Sequence, residues 1–294
     1  MLLLVSNQKR AVSRQQDFKN KVFTALIFSL TGLLLLVILW IFGQILIRGL
    51  GTISWEFLIS NPLNSGRAGG IASILQTTAW VLLIAVTVTV PLGLATSLWL
   101  SEFKSVRLGA WVSKAIYILA GVPSIVYGLF GNTFFCLYLQ LGYSILAGGL
   151  TLAAMILPYF IHTCLLGFNL VDNQWRLGAQ ALGLSKITFI VQILLPQAAP
   201  AVAAGLILSI GRATAETAAL LFTSGFVDKT PESWLDSGRT LSVHIYDLAL
   251  NITGGESGAY GTALVLIVLL FMINSLAHQL VVSKRNNRMD GMNG

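Results

Sequence analysis

Long apolar runs separated by short polar segments dominate this chain, and their lengths set its architecture. A helix crossing a bilayer needs about 20 mostly apolar residues. The stretch from Val22 to Ile47 holds no Asp, Glu, Lys or Arg and stops at Arg48. Ile71 to Leu100 is a second such run, ending before Glu102. From Ala115 to Val171 there is again no acidic or basic residue, a length too great for one helix, and Leu-Gly-Tyr-Ser at 141–144 is the expected turn. Two more runs follow. The pattern predicts an all-α, polytopic membrane protein with six transmembrane helices at about 22–47, 71–100, 115–140, 145–170, 197–222 and 258–282. They form a single domain over 22–283, between an N-terminal tail at 1–21 and a C-terminal tail at 284–294.

Composition agrees. The 294 residues are 55% hydrophobic and only 10% charged, where a soluble domain carries about 25% charged residues. The net charge of +7 does not point to nucleic acid, because the basic residues cluster beside the apolar runs. Thirteen Lys and Arg fall in the two tails and in the loops after spans two and four; Arg48, Arg67, Lys229 and Arg239 make four on the other side. That bias places both termini in the cytoplasm. Cys136 and Cys164 lie in separate apolar spans and read as packing residues. No CxxC or HExxH occurs, no histidine has a partner at metal-ligand spacing, and no cofactor is expected. No cleavable signal peptide is evident.

Arg212 and Glu216 are the only Asp, Glu, Lys or Arg inside any predicted span. A charge at the bilayer centre costs about 2.5–3.5 kcal/mol on insertion scales, so such residues face a partner or a water-filled path. Spaced i and i+4, they are expected to share one helix face and to touch. Counted from Gln197, Arg212 comes about 22 Å into the span, past the midplane. Its planar, permanently charged guanidinium suits an oxyanion, and Glu216 is expected to neutralise it when the path is empty. Thr214 and Thr217 are candidates for nearby hydroxyls. A fixed ion pair holding span five to a neighbour is the alternative. The third span is interrupted by Gly121-Val-Pro-Ser124, where Pro123 removes a helix hydrogen bond. A kink in a packed helix and a break lining a path at Pro123 and Ser124 both fit.

The connection from Asp172 to Pro196 is too long for a turn. It reads as helical pieces with an apolar face, a glycine bend at Gly183 and a proline stop at Pro196. An interfacial helix on lipid would carry this pattern, and so would a short helix pressed into a cytoplasmic partner.

This loop resembles a known family. Ala179-x-Ala-Leu-Gly183, followed twelve residues later by Leu195-Pro196, is similar to the EAA loop of ABC importer permeases. It departs from that motif at Leu177, where the family has Glu, and at Gly178, where it has Ala. Three further stretches resemble phosphate permeases of the PstA type. They are Gly121-Val-Pro-Ser-Ile-Val-Tyr-Gly-Leu-Phe-Gly131, Gly211-Arg-Ala-Thr-Ala-Glu-Thr-Ala218 and Leu241-Ser-Val-His-Ile-Tyr-Asp247. In the second, Ala215 and Ala219 replace the family's Gly and Pro.

The resemblance implies a multi-pass protein of the bacterial inner membrane with a cytoplasmic coupling helix between spans four and five. Ala179, Ala181, Leu182, Gly183, Leu195 and Pro196 would then couple to an ATPase. The implied partners are a homologous permease, two copies of a cytoplasmic ATP-binding subunit, an extracytoplasmic phosphate-binding protein, inorganic phosphate and membrane lipid. The chain has no phosphate-cradling Gly-x-x-x-x-Gly-Lys-Ser/Thr loop, so it is expected to be a transport subunit and not an enzyme. A permease for phosphonate, sulfate or molybdate is the close rival; a self-sufficient secondary transporter or channel is the rival of a different class.

Overall fold

Helices account for nearly all of the regular structure. The computed structural model describes residues 2–103 and 106–290, with side chains described for 19–103, 107–275 and 279; His278, Lys9, Arg10, Arg14, Lys104, Lys284, Arg285 and Arg288 lie outside them. Residues 1–48 form one compact unit and 49–294 another. The first unit lies within α1 (Leu2–Leu50), whose stretch Lys19–Leu50 is long and apolar enough to cross a membrane.

In the second unit, Ser54 opens the short α2 (Trp55–Ile59) by accepting from the Phe57 amide at 3.0 Å. A two-residue hairpin follows, β1 (Pro62–Leu63) antiparallel to β2 (Ala68–Gly69), with Pro62 opposite Gly69. Helix α3 (Ala72–Phe103) closes with a π-helical turn from Trp99. Next come α4 (Val106–Ala120) and α5 (Ser124–Tyr138), bent from one another by 101°. Then follow α6 (Ile145–Asn169), α7 (Asn173–Ala181), α8 (Lys186–Thr214), α9 (Ala218–Leu221), α10 (Leu241–Leu250) and α11 (Glu256–Asp290). Among the described residues, five helices are long and apolar enough to cross a membrane, and the bent α4–α5 pair makes a sixth if counted as one span.

Helix α6 is the hub. Its residues Leu152, Met155 and Ile156 pack with Val81, Ile84 and Ala85 of α3, Tyr127 of α5 and Ala213 of α8. Nearer its C-terminus, Phe160, Cys164 and Phe168 meet Ala179 of α7 and Phe189, Ile190, Leu194 and Ala198 of α8. Lipid chains are as apolar as leucine, so helices in a bilayer gain most where small residues let backbones approach. Gly149 does this for α6 on α3: an added Cβ would come within 2.6 Å of Ile84.

Two expectations about span five change here. Span five starts at Lys186, not near 197, because Pro196 does not stop the chain. A π-helical segment, Ile190–Leu194, runs into Leu195–Thr214 and carries the helix through Pro196. The amphipathic stretch from Ile187 to Leu194 is therefore the beginning of a span. Span five also ends at Thr214, eight residues early. Helical backbone also extends beyond the candidate spans towards both ends, from Leu2 and to Asp290.

Candidate functional site

The break in the third span and the charged end of α8 meet at one residue, Tyr159. It is the fifteenth of the 25 residues of α6 and so lies near the middle of that helix. Its ring carries the Arg212 guanidinium, with Cζ 4.4 Å from the ring centroid, a cation–π contact. Its hydroxyl donates to the carbonyl of Ala120 at 2.5 Å, and the Tyr127 hydroxyl donates to that of Leu119 at 2.9 Å. These are the last carbonyls of α4; that of Leu119 also accepts from the Val122 amide at 3.1 Å as the chain turns at Gly121. In a membrane such groups must be satisfied within the protein; Tyr159 does so for Ala120, and Tyr127 adds a second bond at Leu119. Pro123 precedes the first residue of α5, where it needs no amide, and its carbonyl accepts from Val126 at 3.0 Å. Ser124 opens α5. A bend of 101° exceeds a proline kink, so the interruption is a true break.

Arg212 and Glu216 are not a pair. Helix α8 ends at Thr214, so the i,i+4 geometry that would join them does not exist. Among the described residues Arg212 makes no ion pair; its side chain is exposed on the surface of the single chain. The Glu216 carboxylate turns the other way and accepts from the Ala219 amide at 3.2 Å, a negative group at the start of the short α9. Its backbone carbonyl accepts from the Ser242 hydroxyl, which ties α10 to this turn. Thr214 is also turned away: it is buried, and its hydroxyl donates to the Ile210 carbonyl at 2.7 Å. Thr217 is half-buried at the start of α9, where its carbonyl accepts from Leu221. The structure thus links Arg212 through Tyr159 to Ala120 at the end of α4, three residues before Pro123, shows no contact of it with Pro123 or Ser124 among the described residues, and separates it from Glu216.

Two further clusters join elements distant in sequence. Arg239 and Asp247 are both buried and bond at 3.0 Å; Arg239 also donates to His244 Nδ1 (3.2 Å) and to the Phe226 carbonyl (3.0 Å). Burial, helped by the Arg239 charge, pushes His244 down to about 4, so its ring is neutral at neutral pH and can accept that bond. The pattern gave Arg239 only as an outer-loop charge; the readable signal is an Arg and an Asp at the two ends of an apolar stretch. The other cluster is the ion pair of Arg176 with Glu102, 74 residues apart, for which a single sequence holds no signal.

The segment read as a coupling loop folds as α7, a turn and the start of α8. Asp172 caps α7, accepting from Gln174 at 2.9 Å. At the far end, Gly183 donates to the Gln180 carbonyl and Leu184 to that of Ala179, a Schellman closure that requires the left-handed backbone. Gly183 supplies it with φ +66°. Ala179 is 5% exposed and packs inward on α6 and α8, whereas Leu182 is 78% exposed. Around Leu182 the exposed surface includes Trp175, Leu177, Ala181 and Ile187. Leu195 and Pro196 are half-buried inside α8, away from that surface. Of the six residues grouped for coupling, Ala181, Leu182 and Gly183 are exposed, whereas Ala179 is buried and Leu195 and Pro196 are half-buried.

Residues 89–288 match the family described as binding-protein-dependent transport system inner membrane component. The chain is 27% identical over 277 residues to the probable ABC transporter permease protein YqgI of Bacillus subtilis (strain 168), covering 89% of this chain and 94% of that one. It is 30% identical over 274 residues to the phosphate transport system permease protein PstA of Mycobacterium leprae (strain TN), covering 90% and 89%. Its fold is similar to that of a chain in the crystal structure of a bacterial alginate ABC transporter in complex with alginate pentasaccharide-bound periplasmic protein. The TM-score is 0.61 at 14% identity, over 86% of this chain and 95% of that one. The chain therefore belongs to the binding-protein-dependent transport system inner membrane components, and is a multi-pass permease subunit of the ABC importer type.

Proposed function

We propose that this chain moves inorganic phosphate across the membrane as one half of a permease pair, with a homologous permease as the other half. Two copies of a separate ATP-binding subunit energise the pair, and an extracytoplasmic phosphate-binding protein supplies it. The carrying observation is Arg212: a permanent cation held on the mid-helix Tyr159 of α6, without a carboxylate partner among the described residues, beside a broken span. Broken helices at the midplane are where transporters place their sites, because freed backbone groups and a charge can face water there. The Tyr159 ring holds the guanidinium by a cation–π contact that uses none of its N–H donors, and a planar fork of such donors matches two oxygens of an oxyanion. Outside a protein assembly the exposed side of Arg212 would meet lipid, which is costly, so a second permease covering a watery path fits that face. The names of its relatives favour phosphate among the oxyanions. Translocation involves no covalent step in this chain.

Competition tests the substrate. In vesicles holding the assembled complex, excess unlabelled phosphate should suppress uptake of labelled phosphate, while equal sulfate, molybdate or phosphonate leaves it unchanged. Suppression by one of those three instead would reassign the substrate.

In this reading α7 and the start of α8 are cytoplasmic, as the basic-residue bias implies. With Cys136 and Cys164 replaced by Ala, a cysteine at the exposed Ser185 should resist an impermeant thiol reagent in intact cells, and one at the exposed Ser233 should react. Labelling at Ser185 from outside would reverse the topology.

A further inference from the structure

Arg176 projects from α7 into the ends of three membrane helices. Its Nε and Nη2 donate to one Glu102 oxygen, at 3.2 and 2.8 Å, at the end of α3. Nη2 also donates to the Phe168 carbonyl at 3.1 Å, and Nη1 to the Val171 carbonyl at 3.0 Å, where α6 runs out. Its Cζ lies 5.9 Å from the Phe189 ring at the start of α8. Glu102 is held in turn by the Ser101 hydroxyl at 2.8 Å. Both side chains are largely shielded, at 21% and 13% exposure, and such a fork of charged hydrogen bonds is stronger and more directional than a solvated surface pair. The guanidinium also sits at the negative end of the α6 dipole.

Ala179 alone would let α7 slide on the bundle, because an apolar contact has little directionality. The Arg176 fork fixes α7 in both position and angle. We propose that Arg176 is the positioning residue that turns displacement of α7 into displacement of α3 and α6, with Glu102 as its anchor. It does not touch the exposed surface around Leu182, so it acts after docking. Because Tyr159 stands on α6, a push delivered there reaches Arg212 and the α4–α5 break through contacts already described. This proposal rests on the reading of α7 as the ATPase contact.

The test uses the whole complex reconstituted in vesicles with its ATPase and binding protein, measuring phosphate taken up and ATP hydrolysed on the same sample. Arg176→Met and Glu102→Gln should still co-purify with the ATPase and hydrolyse ATP, while phosphate imported per ATP falls about tenfold, the scale of one lost charged hydrogen bond. Arg176→Lys should fall between, since a point charge reaches Glu102 but cannot hold both carbonyls. A merely structural strut predicts lower protein abundance with an unchanged ratio, and an unchanged ratio would overturn the proposal whatever the abundance. Failure of the wild-type chain to retain any ATPase would overturn the function reading as well, so the two failures are distinguishable.

Discussion

Replacing Arg212 by Gln should reduce phosphate uptake per inserted molecule by about 100-fold or more, because a bidentate pair of charged hydrogen bonds is lost. Insertion should be unharmed, since the change removes an expensive charge. Arg212→Lys should also be poor: an ammonium is a point charge and presents no fork. Glu216→Gln should leave uptake near wild type, since an amide oxygen can still accept from Ala219. For the same reason the double change Arg212→Met with Glu216→Leu should not restore transport. Uptake assays normalised to membrane protein separate these cases, and full uptake by the double variant would rule out Arg212 as a substrate contact.

Docking of the ATPase should fail when Leu182 becomes Asp. The side chain is 78% exposed, so abundance in the membrane should stay near wild type. Burying a leucine in a partner groove contributes about 1.5–3 kcal/mol, so ATPase recovery on purification should drop about 30-fold, and uptake with it. Gly183→Ala should be milder, because no atom lies within 4 Å of the added Cβ. The left-handed backbone still makes it cost about 1–2 kcal/mol, loosening the turn that presents Leu182. Ala179→Asp should behave differently, lowering abundance outright, since that position is buried among apolar side chains. Undiminished ATPase recovery with Leu182→Asp would remove this surface from the account.

The spans were legible where hydrophobic length alone decides them, as for α3 and α6, whose apolar runs are closed by Glu102 and by the turn at 141–144. Span five was not. Its first residues alternate polar and apolar because one face packs on α6 and the other is exposed, and a π-helical segment carries the helix past Pro196. Its end was hidden too, because Thr214 to Thr217 contain neither Gly nor Pro, so nothing local announces the break. That hidden end decided the site. Arg212 stands out in any reading as a charge in an apolar run, but its neighbour depends on where the helix stops. Tyr159 and Tyr127 gave no signal, since a tyrosine in an apolar span reads as core until the carbonyls it satisfies are located. The Glu102–Arg176 pair depends wholly on tertiary folding.

The most direct measurement is accumulation of labelled inorganic phosphate in sealed vesicles carrying the complex purified through a tag on this chain, with the phosphate-binding protein on the side opposite α7. ATP supplied on the α7 side should drive phosphate above its equilibrium concentration, and removing ATP or substituting Arg212→Gln should abolish this. Accumulation or equilibration of phosphate by this chain alone, with no ATPase subunit and no ATP, would contradict the account and make the chain a self-sufficient transporter or channel.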